Sequence, residues 1–161
     1  MKNIQEKAKW NPVFRINKFA SQSDYEAGKL LESVIFKGNK LTNAGINEMW
    51  TLIAGTGGEQ FGSAANLIVG TGTGSESATD TELTFTNGVK KPMADGYPTY
   101  GTSQKVTYKA VFDGTSANQA WNEFGVLSKS SGGILLNRKV STQGTKTAGQ
   151  VWELQLEITL S

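Results

Sequence analysis

The sequence predicts a mainly β fold, an antiparallel β-sandwich or jelly-roll-like domain with one short α-helix (about residues 42–54) and an extended N-terminal arm. The clearest sign is the C-terminal segment 151–160, where apolar residues alternate with Glu, Gln and Thr. This period of two is typical of an antiparallel strand with one buried face. The chain also contains 19 Gly, and turn signals separate roughly seven or eight short apolar segments.

The N-terminal residues are polar and rich in Lys, and Pro12 interrupts them. We therefore expect residues 1–20 to form an arm and residues 21–161 to form a single β-sandwich domain, a size large enough for a real core. Within the arm, residues 14–17 alternate between apolar and polar types, which is a weak strand pattern. Residues 20–29 have the composition of a loop.

One segment has the pattern of a helix. Thr42 is a good N-cap, and Gly55 is well placed to end the helix. The apolar positions between them recur at the spacing i, i+3, i+4 and i+7 in Ile46, Met49, Trp50 and Ile53. A stripe of this kind predicts one buried face, with Trp50 as an anchor in the core.

Further strands are expected on both sides of a long irregular segment, 87–104, which contains Pro92, Pro98 and two tyrosines. Before it, residues 65–69 resemble a strand, and Leu83 with Phe85 marks a short one. After it, apolar patterns predict strands over 105–112, 119–128, 134–140 and 151–160.

The composition argues against most kinds of chemistry. The chain has no Cys and no His, which removes thiol nucleophiles, the commonest general base and the commonest transition-metal ligands. The net charge of +2 gives no signature of nucleic-acid binding. No signal peptide and no apolar run of roughly 20 residues is present, so we expect no membrane partner. We predict a protein that is not an enzyme, with no catalytic residues, cofactor or metal.

Two segments have compositions found in ligand sites, but their spacing favours a structural role. The Gly-rich segment 70–74 has neither the dinucleotide-binding spacing nor a Walker lysine, so a turn with close backbone packing is expected. The acidic residues Glu76, Asp80 and Glu82 do not have the spacing of a calcium loop and are expected to be solvated. Solvated strand positions are also expected for the carboxylates Glu123, Glu153 and Glu157.

The order of several segments resembles small β-sandwich virion proteins of tailed bacteriophages. The likeness spans roughly residues 40–161. The segments that carry it are the helix 42–54, Leu67-Ile-Val-Gly-Thr-Gly-Thr, Thr79-Asp-Thr-Glu-Leu, Ala120-Trp-Asn-Glu-Phe-Gly-Val-Leu, Leu135-Leu-Asn-Arg, a loop with Lys146, and the final strand 151–160. The resemblance implies a β-sandwich that assembles on the particle, on the head shell or in the tail, and it brings no catalytic residues.

The resemblance leads to an expected function. The first expectation is a capsid decoration, or cement, protein, made in the host cytoplasm, which binds the exterior of the major capsid protein shell, bridges its subunits and forms a homotrimer. The alternative is a tail, collar or baseplate component, with a receptor- or glycan-binding tip in one version. The predicted partner-binding residues are Lys7, Lys9, Trp10, Phe14, Arg15, Tyr97 and Tyr100.

Overall fold

The computed structural model describes residues 7–55 and 57–161 and has two antiparallel sheets of five strands each. The strands are β1 (Trp10–Phe19), β2 (Glu32–Lys37), β3 (Lys40–Leu41), β4 (Asn66–Gly70), β5 (Val89–Pro92), β6 (Thr99–Thr102), β7 (Lys105–Phe112), β8 (Glu123–Leu127), β9 (Leu135–Val140) and β10 (Val151–Leu160). The helices are α1 (Gln22–Glu26) and α2 (Asn43–Ala54). Sheet A has the order β2-β1-β10-β7-β6, and sheet B has the order β3-β9-β8-β4-β5. The predicted mainly β fold is confirmed.

The closing strand β10 lies at the centre of sheet A. It pairs with β1 along its whole length on one side and with β7 on the other. Its alternating apolar side chains point into the sandwich, where Leu154 and Leu156 are fully buried. The core between the sheets continues through buried residues of both sheets, among them Phe14, Ile16, Leu67, Val69, Phe112, Trp121, Phe124 and Val126. The interpretation of 151–160 as a half-buried strand is therefore correct.

The predicted arm is shorter than expected, because residues 10–19 form β1. This strand lies between β2 and β10, and Phe14 and Ile16 on its inner face are 0% exposed. Their burial stabilises the sandwich, so β1 belongs to the domain. Residues 1–6 of the predicted arm lie outside the described residues. From Lys7 to Lys9 the chain is exposed, and the backbones of Lys9 and Ser161 exchange two hydrogen bonds.

The predicted helix is confirmed, but the prediction of its buried face is wrong. Thr42 caps it by accepting a hydrogen bond from the backbone N–H of Gly45 at 2.9 Å, and Gly55 ends it with φ +71°. The helix packs against β9 through Gly45, where a Cβ would lie only 2.6 Å from the carbonyl oxygen of Leu136. Met49 of the apolar stripe is half-buried and packs against the core, but Trp50, the expected anchor, is 64% exposed and Ile53 is 70% exposed.

Two shorter segments also differ from the predictions. Residues 20–29 contain the one-turn helix α1, which Ser21 caps by accepting a hydrogen bond from the backbone N–H of Asp24. The expected strand at Leu83 and Phe85 is a 3-10 turn over Glu82–Thr84. Phe85 after this turn is buried with Ile68, Leu127 and Leu135 in a second apolar cluster.

Buried charge cluster and candidate interaction surfaces

Three charged residues far apart in the sequence meet inside the protein. The Glu123 side chain is 0% exposed, and its Oε2 accepts hydrogen bonds from Nε and Nη2 of Arg138 at 3.1 and 2.7 Å. Nη1 of Arg138 donates to Oδ2 of Asp80 at 3.0 Å. Burial alone would lower the pKa of Arg138, but its hydrogen bonds to both carboxylates outweigh burial and raise that pKa. A buried pair that is complete in this way is costly to break.

The other oxygen of Glu123 organises the Gly-rich segment. Its Oε1 accepts hydrogen bonds from the backbone N–H groups of Gly72 and Thr86, each at 2.7 Å. A Cβ on Gly70 or on Gly72 would lie 2.5 Å from this oxygen. The glycines thus allow the backbone to approach a buried carboxylate, as the expected close-packed turn requires. The prediction that Glu123 is solvated is wrong, because four hydrogen bonds from three other residues satisfy its carboxylate.

The acidic residues expected to be solvated are paired as well. Besides Asp80, Glu82 accepts a hydrogen bond from Nζ of Lys90 at 2.5 Å, and Glu76 accepts one from the backbone N–H of Val140 at 2.6 Å. On the outer face of sheet A, Glu153 is only 8% exposed because Lys109 and Asn17 contact it. Glu157 is half-buried and lies 3.0 Å from Nζ of Lys105. Among residues 7–55 and 57–161, no three Asp or Glu residues converge to hold a metal.

Lys146 is a buried cation in the loop before β10. The residue is 1% exposed, and its Nζ donates to the carbonyl oxygens of Asp113 and Ser116 and to Oδ1 of Asn118, at 2.6, 3.0 and 2.7 Å. Burial lowers the pKa of Lys146 to about 8. The side chain therefore ties the loop after β7 to the loop before β10, and it is not free to meet a partner.

A groove lies where α2 passes the ends of β1 and β10. We call it the α2 groove; it encloses about 390 Å³ and is lined by Ala8, Trp10, Leu41, Ile46, Met49, Trp50, Ile53 and Leu160. Among the lining residues, Trp50 and Ile53 are 64% and 70% exposed. Trp10 is half-buried and donates through Nε1 to Oδ1 of Asn39 at 2.8 Å, which fixes its ring. Apolar surface of this kind on a folded chain marks an interaction site.

A second hollow adjoins the groove. It encloses about 510 Å³ and shares Trp10, Met49 and Leu160 with the groove, while residues 101–106 form its far side. The two hollows are therefore neighbours, one beside α2 and the other beside the turn between β6 and β7.

A different exposed surface follows the free edge of sheet A. We call it the β2 edge surface and define it by Arg15, Leu30, Leu31 and Ile35. The three apolar side chains are between 48% and 61% exposed. Arg15 is the direct neighbour of Ile35 in the β1–β2 register and, within the described residues, makes no hydrogen bond or ion pair. An edge strand also presents unpaired backbone N–H and C=O groups.

The predicted partner-binding residues fall in different places. Trp10 lines the α2 groove, and Arg15 belongs to the β2 edge surface. Lys7 and Lys9 are exposed beside the first strand. The prediction for Phe14 is wrong, because this side chain is fully buried against the rings of Phe36 and Phe124.

The two tyrosines do not form one platform. Tyr97 is half-buried, with Nζ of Lys109 on the outer face of sheet A lying 5.5 Å from its ring centre. Tyr100 on edge strand β6 is 76% exposed and pairs with Val106, which packs against the core on the inner face. The structure therefore does not bring them together.

Sequence reasoning missed both apolar surfaces. The spacing of apolar residues in α2 does not indicate that Trp50 and Ile53 are exposed, because a buried helix face has the same spacing. Leu30, Leu31 and Ile35 are apolar in the sequence, but only the sheet order makes β2 an edge strand.

Comparison of the chain with protein-family models, with curated proteins and with solved structures finds no match. Among the described residues, no helix has the length and apolar character to cross a bilayer.

Proposed function

We propose that this protein is a structural protein of a tailed-bacteriophage virion, and specifically a decoration protein that binds the outer shell and bridges its subunits. The observation that carries the proposal is the buried charge cluster. Asp80, Glu123 and Arg138 belong to the three segments Thr79–Leu83, Ala120–Leu127 and Leu135–Arg138 that resemble such proteins. Ion pairs join these three segments. The pattern that resembles virion proteins therefore lies in one connected part of the fold.

The β2 edge surface is the proposed contact with the shell. An exposed edge strand can add a strand from a partner through its backbone groups, and alternate side chains then give specificity. Leu31 and Ile35 supply apolar contact, and Arg15 supplies an unpaired cation beside them. Binding to the assembled shell and not to its separate subunits would stabilise the shell by mass action.

The N-terminal residues are proposed to extend this contact. Residues 1–9 precede β1, and Lys7 and Lys9 are exposed. A truncation that tests them has to stop before Trp10, since β1 begins there and belongs to the core sheet. We expect removal of residues 1–6 to weaken binding to the shell while the domain still folds. Unchanged occupancy of the shell would exclude a role for this segment.

The alternative remains a tail, collar or baseplate component. The exposed Tyr100 on β6 is the observation in favour of a glycan-binding version, because tyrosine offers an apolar face and a polar hydroxyl. A glycan array separates the two functions: loss of signal in Tyr100→Ala would favour the alternative, and absence of any signal in the wild type would count against it.

The decisive experiment is a cryo-EM map of particles that carry this protein. Copies over the whole head would support decoration, whereas a few copies confined to the tail would contradict it. Co-sedimentation with undecorated shells then tests the surface. We expect Ile35→Glu to lose binding, and Leu83→Glu, a matched change on the opposite side of the sandwich at an 88% exposed residue, to retain it. The reverse pattern would show that another face meets the shell.

A further inference from the structure

The edge strand β2 leaves one side of its backbone unpaired. Gly38, directly after the strand, donates its backbone N–H to the carbonyl oxygen of Pro12 in β1 at 3.2 Å. Hydrogen-bonded pairs alternate along an antiparallel ladder, so Val34 and Phe36 also direct their backbone groups toward β1. The alternate residues direct their backbone groups to the open side of the sheet; they are Ser33, Ile35 and Lys37.

The pairing of β1 with β10 supports this assignment. The backbones of Lys9 and Ser161 bond to each other, and this fixes the alternation so that the even-numbered residues of β1 direct their backbone groups toward β2. Within the described residues, no backbone hydrogen bond of a turn or loop uses Ser33, Ile35 or Lys37. Three N–H groups and three carbonyl oxygens are therefore free to bond to an added strand.

The other edges of the two sheets are less suited to accept a strand. β3 has only two residues, β5 ends in Pro92, and the register of β6 is irregular between Tyr100 and Thr102. β2 has six residues, no proline and a regular register with β1. Short length, proline and irregular register are features that protect an edge strand from pairing, and among the described edges β2 is the one that lacks them.

The inner side chains of β2 indicate one property of the strand that it accepts. Val34 and Phe36 are half-buried, and Phe36 stacks on Phe14 with the ring centres 4.9 Å apart. A strand added beside β2 covers more of both side chains. This burial favours apolar residues on the inner face of the added strand.

The charges at the end of β2 indicate a second property. A polar hollow of about 420 Å³ follows the strand; we call it the basic hollow, and it is lined by Gly38, Asn39, Lys40, Glu76 and Lys139. Lys37 and Lys40 are exposed and, within the described residues, make no ion pair. Nζ of Lys139 lies 3.6 Å from Oε1 of Glu76. Three lysines thus share one carboxylate, and charge complementarity favours acidic residues in the partner.

A second copy of this chain does not supply those acidic residues. The strand β2 contains one carboxylate, Glu32, and it already bonds to Nζ of Lys18 at 2.8 Å. The β2 strand of another copy would therefore leave Lys37 and the basic hollow without a counter-charge. The occupant is instead a segment of a different protein.

We propose that β2 binds an extended segment of a partner protein as an additional strand of sheet A, with apolar residues on the inner face of that segment and an acidic side chain in the basic hollow. The inference deepens the proposed function by stating the chemistry of the partner segment. It rests on that function only for the source of the segment, which is the capsid shell.

Synthetic peptides test this chemistry without the shell. In the first probe Val and Glu alternate, and the valines are N-methylated so that only one edge of the peptide can pair. The second probe has Lys in place of Glu. Each is titrated into the full-length protein while the amide resonances are followed by NMR. We expect the Glu peptide to shift the resonances of Ser33, Ile35 and Lys37, and the Lys peptide to bind at least about tenfold more weakly, because like charges repel.

Two substitutions separate the backbone contribution from the charge. Ile35→Pro removes one outward N–H and leaves the ladder with β1 intact, since proline is tolerated where the N–H of an edge strand faces solvent. It should weaken binding of the Glu peptide by about tenfold or more. Lys37→Glu changes an exposed side chain and should reverse the preference for the two probes.

Three results of the peptide experiment would overturn the proposal. They are the absence of shifts along β2, equal binding of the two probes, and a preference that Lys37→Glu leaves unchanged. Dimers of the wild type that Ile35→Pro abolishes would also overturn it, in favour of a second copy as the occupant.

A cryo-EM map of decorated shells keeps this inference apart from the proposed function. A strand of the shell protein beside β2 would support both. Protein on the shell with no strand beside β2 would overturn the inference and leave decoration standing. Absence of the protein from the shell would overturn decoration, while the peptide experiment still decides whether β2 accepts an acidic strand.

Discussion

The strand β10 and the helix α2 have equally regular apolar patterns but opposite environments. In β10 the alternating residues are buried between two sheets, and Leu154 and Leu156 are 0% exposed. In α2 the stripe at helical spacing contains Trp50 and Ile53, which are 64% and 70% exposed. The spacing of apolar residues therefore identifies the type of secondary structure and its apolar face. It does not indicate whether another part of the protein covers that face.

The difference has a local cause. β10 is the central strand of its sheet and pairs with β1 on one side and β7 on the other. This pairing keeps its apolar face directed at the other sheet. The closest backbone approach of the helix is to β9, and that approach needs the smallest residue. Gly45 lets the helix backbone approach Leu136, and this approach fixes the rotation of α2 about its axis. Of the stripe, Met49 still packs against the core, whereas Trp50 and Ile53 are turned toward solvent.

The largest expected effect comes from comparing a substitution at a buried residue of β10 with one at an exposed residue of α2. We expect Leu154→Ala to lower the free energy of unfolding by about 2–5 kcal/mol at every protein concentration, because it leaves a cavity in the core. Trp50→Ala should cost less than about 1 kcal/mol, because most of its side chain is in water. Urea unfolding of dilute protein measures both. Equal losses in dilute protein would show that the α2 stripe is covered within one chain.

A smaller effect tests why α2 has its observed rotation. Gly45→Ala places a Cβ 2.6 Å from the carbonyl oxygen of Leu136, so the helix has to move. Overpacking costs about 1–3 kcal/mol, and the better helix propensity of Ala offsets up to about 1 kcal/mol of that. We expect a net loss of stability and a changed Trp50 emission. The control is Asn47→Ala, at an exposed position of the same helix, which should be neutral or slightly stabilising. A neutral Gly45→Ala would refute the role of this contact.

The smallest effect concerns the loop that leads into β10. Burial lowers the pKa of Lys146 from 10.5 to about 8, so the unfolded chain binds more protons between these pH values. Stability therefore rises with pH across this range, and the penalty for the buried charge is fully present below about pH 8. We expect the unfolding free energy of the wild type to gain about 1–2 kcal/mol, relative to Lys146→Met, between pH 7.5 and 10.5.

The control for this measurement is Lys37→Met, since Lys37 is exposed on β2. Its dependence on pH should match that of the wild type. Parallel pH profiles for the wild type and Lys146→Met would mean that the ammonium stays charged and that its three acceptors offset its burial.

Local patterns predicted much of the fold because the signals were local. The N-cap Thr42 and the terminator Gly55 act within a few residues of the helix ends, and both were confirmed. The close backbone packing expected at 70–74 is confirmed, but the segment continues from β4 without the expected turn, and the sequence does not indicate its partner. Glu123 is 51 positions from Gly72, and nothing in the sequence near either residue indicates that they meet.

The candidate surfaces were predictable only in part. Trp10 and Arg15 were expected to meet partners and lie on exposed surfaces, whereas Phe14 between them is buried. Strand parity separates Arg15 from Phe14, because neighbouring residues of a strand face opposite sides. Trp10 is on the same face as Phe14 and is half-buried against the core at the start of β1. Whether β1 is a free arm or a central strand depends on its pairing with β2 and β10, which are far from each other in the sequence.

The sequence by itself determined the class of the fold, the limits of its clearest helix and the burial of its last strand. These follow from period, caps and turns, which act over a few residues. Only the tertiary structure decided that β1 lies inside a sheet, that three distant charges share one buried cluster, and that the apolar side of α2 faces outward. Each depends on which distant segments come into contact, and at α2 a single glycine determines the side on which that contact forms.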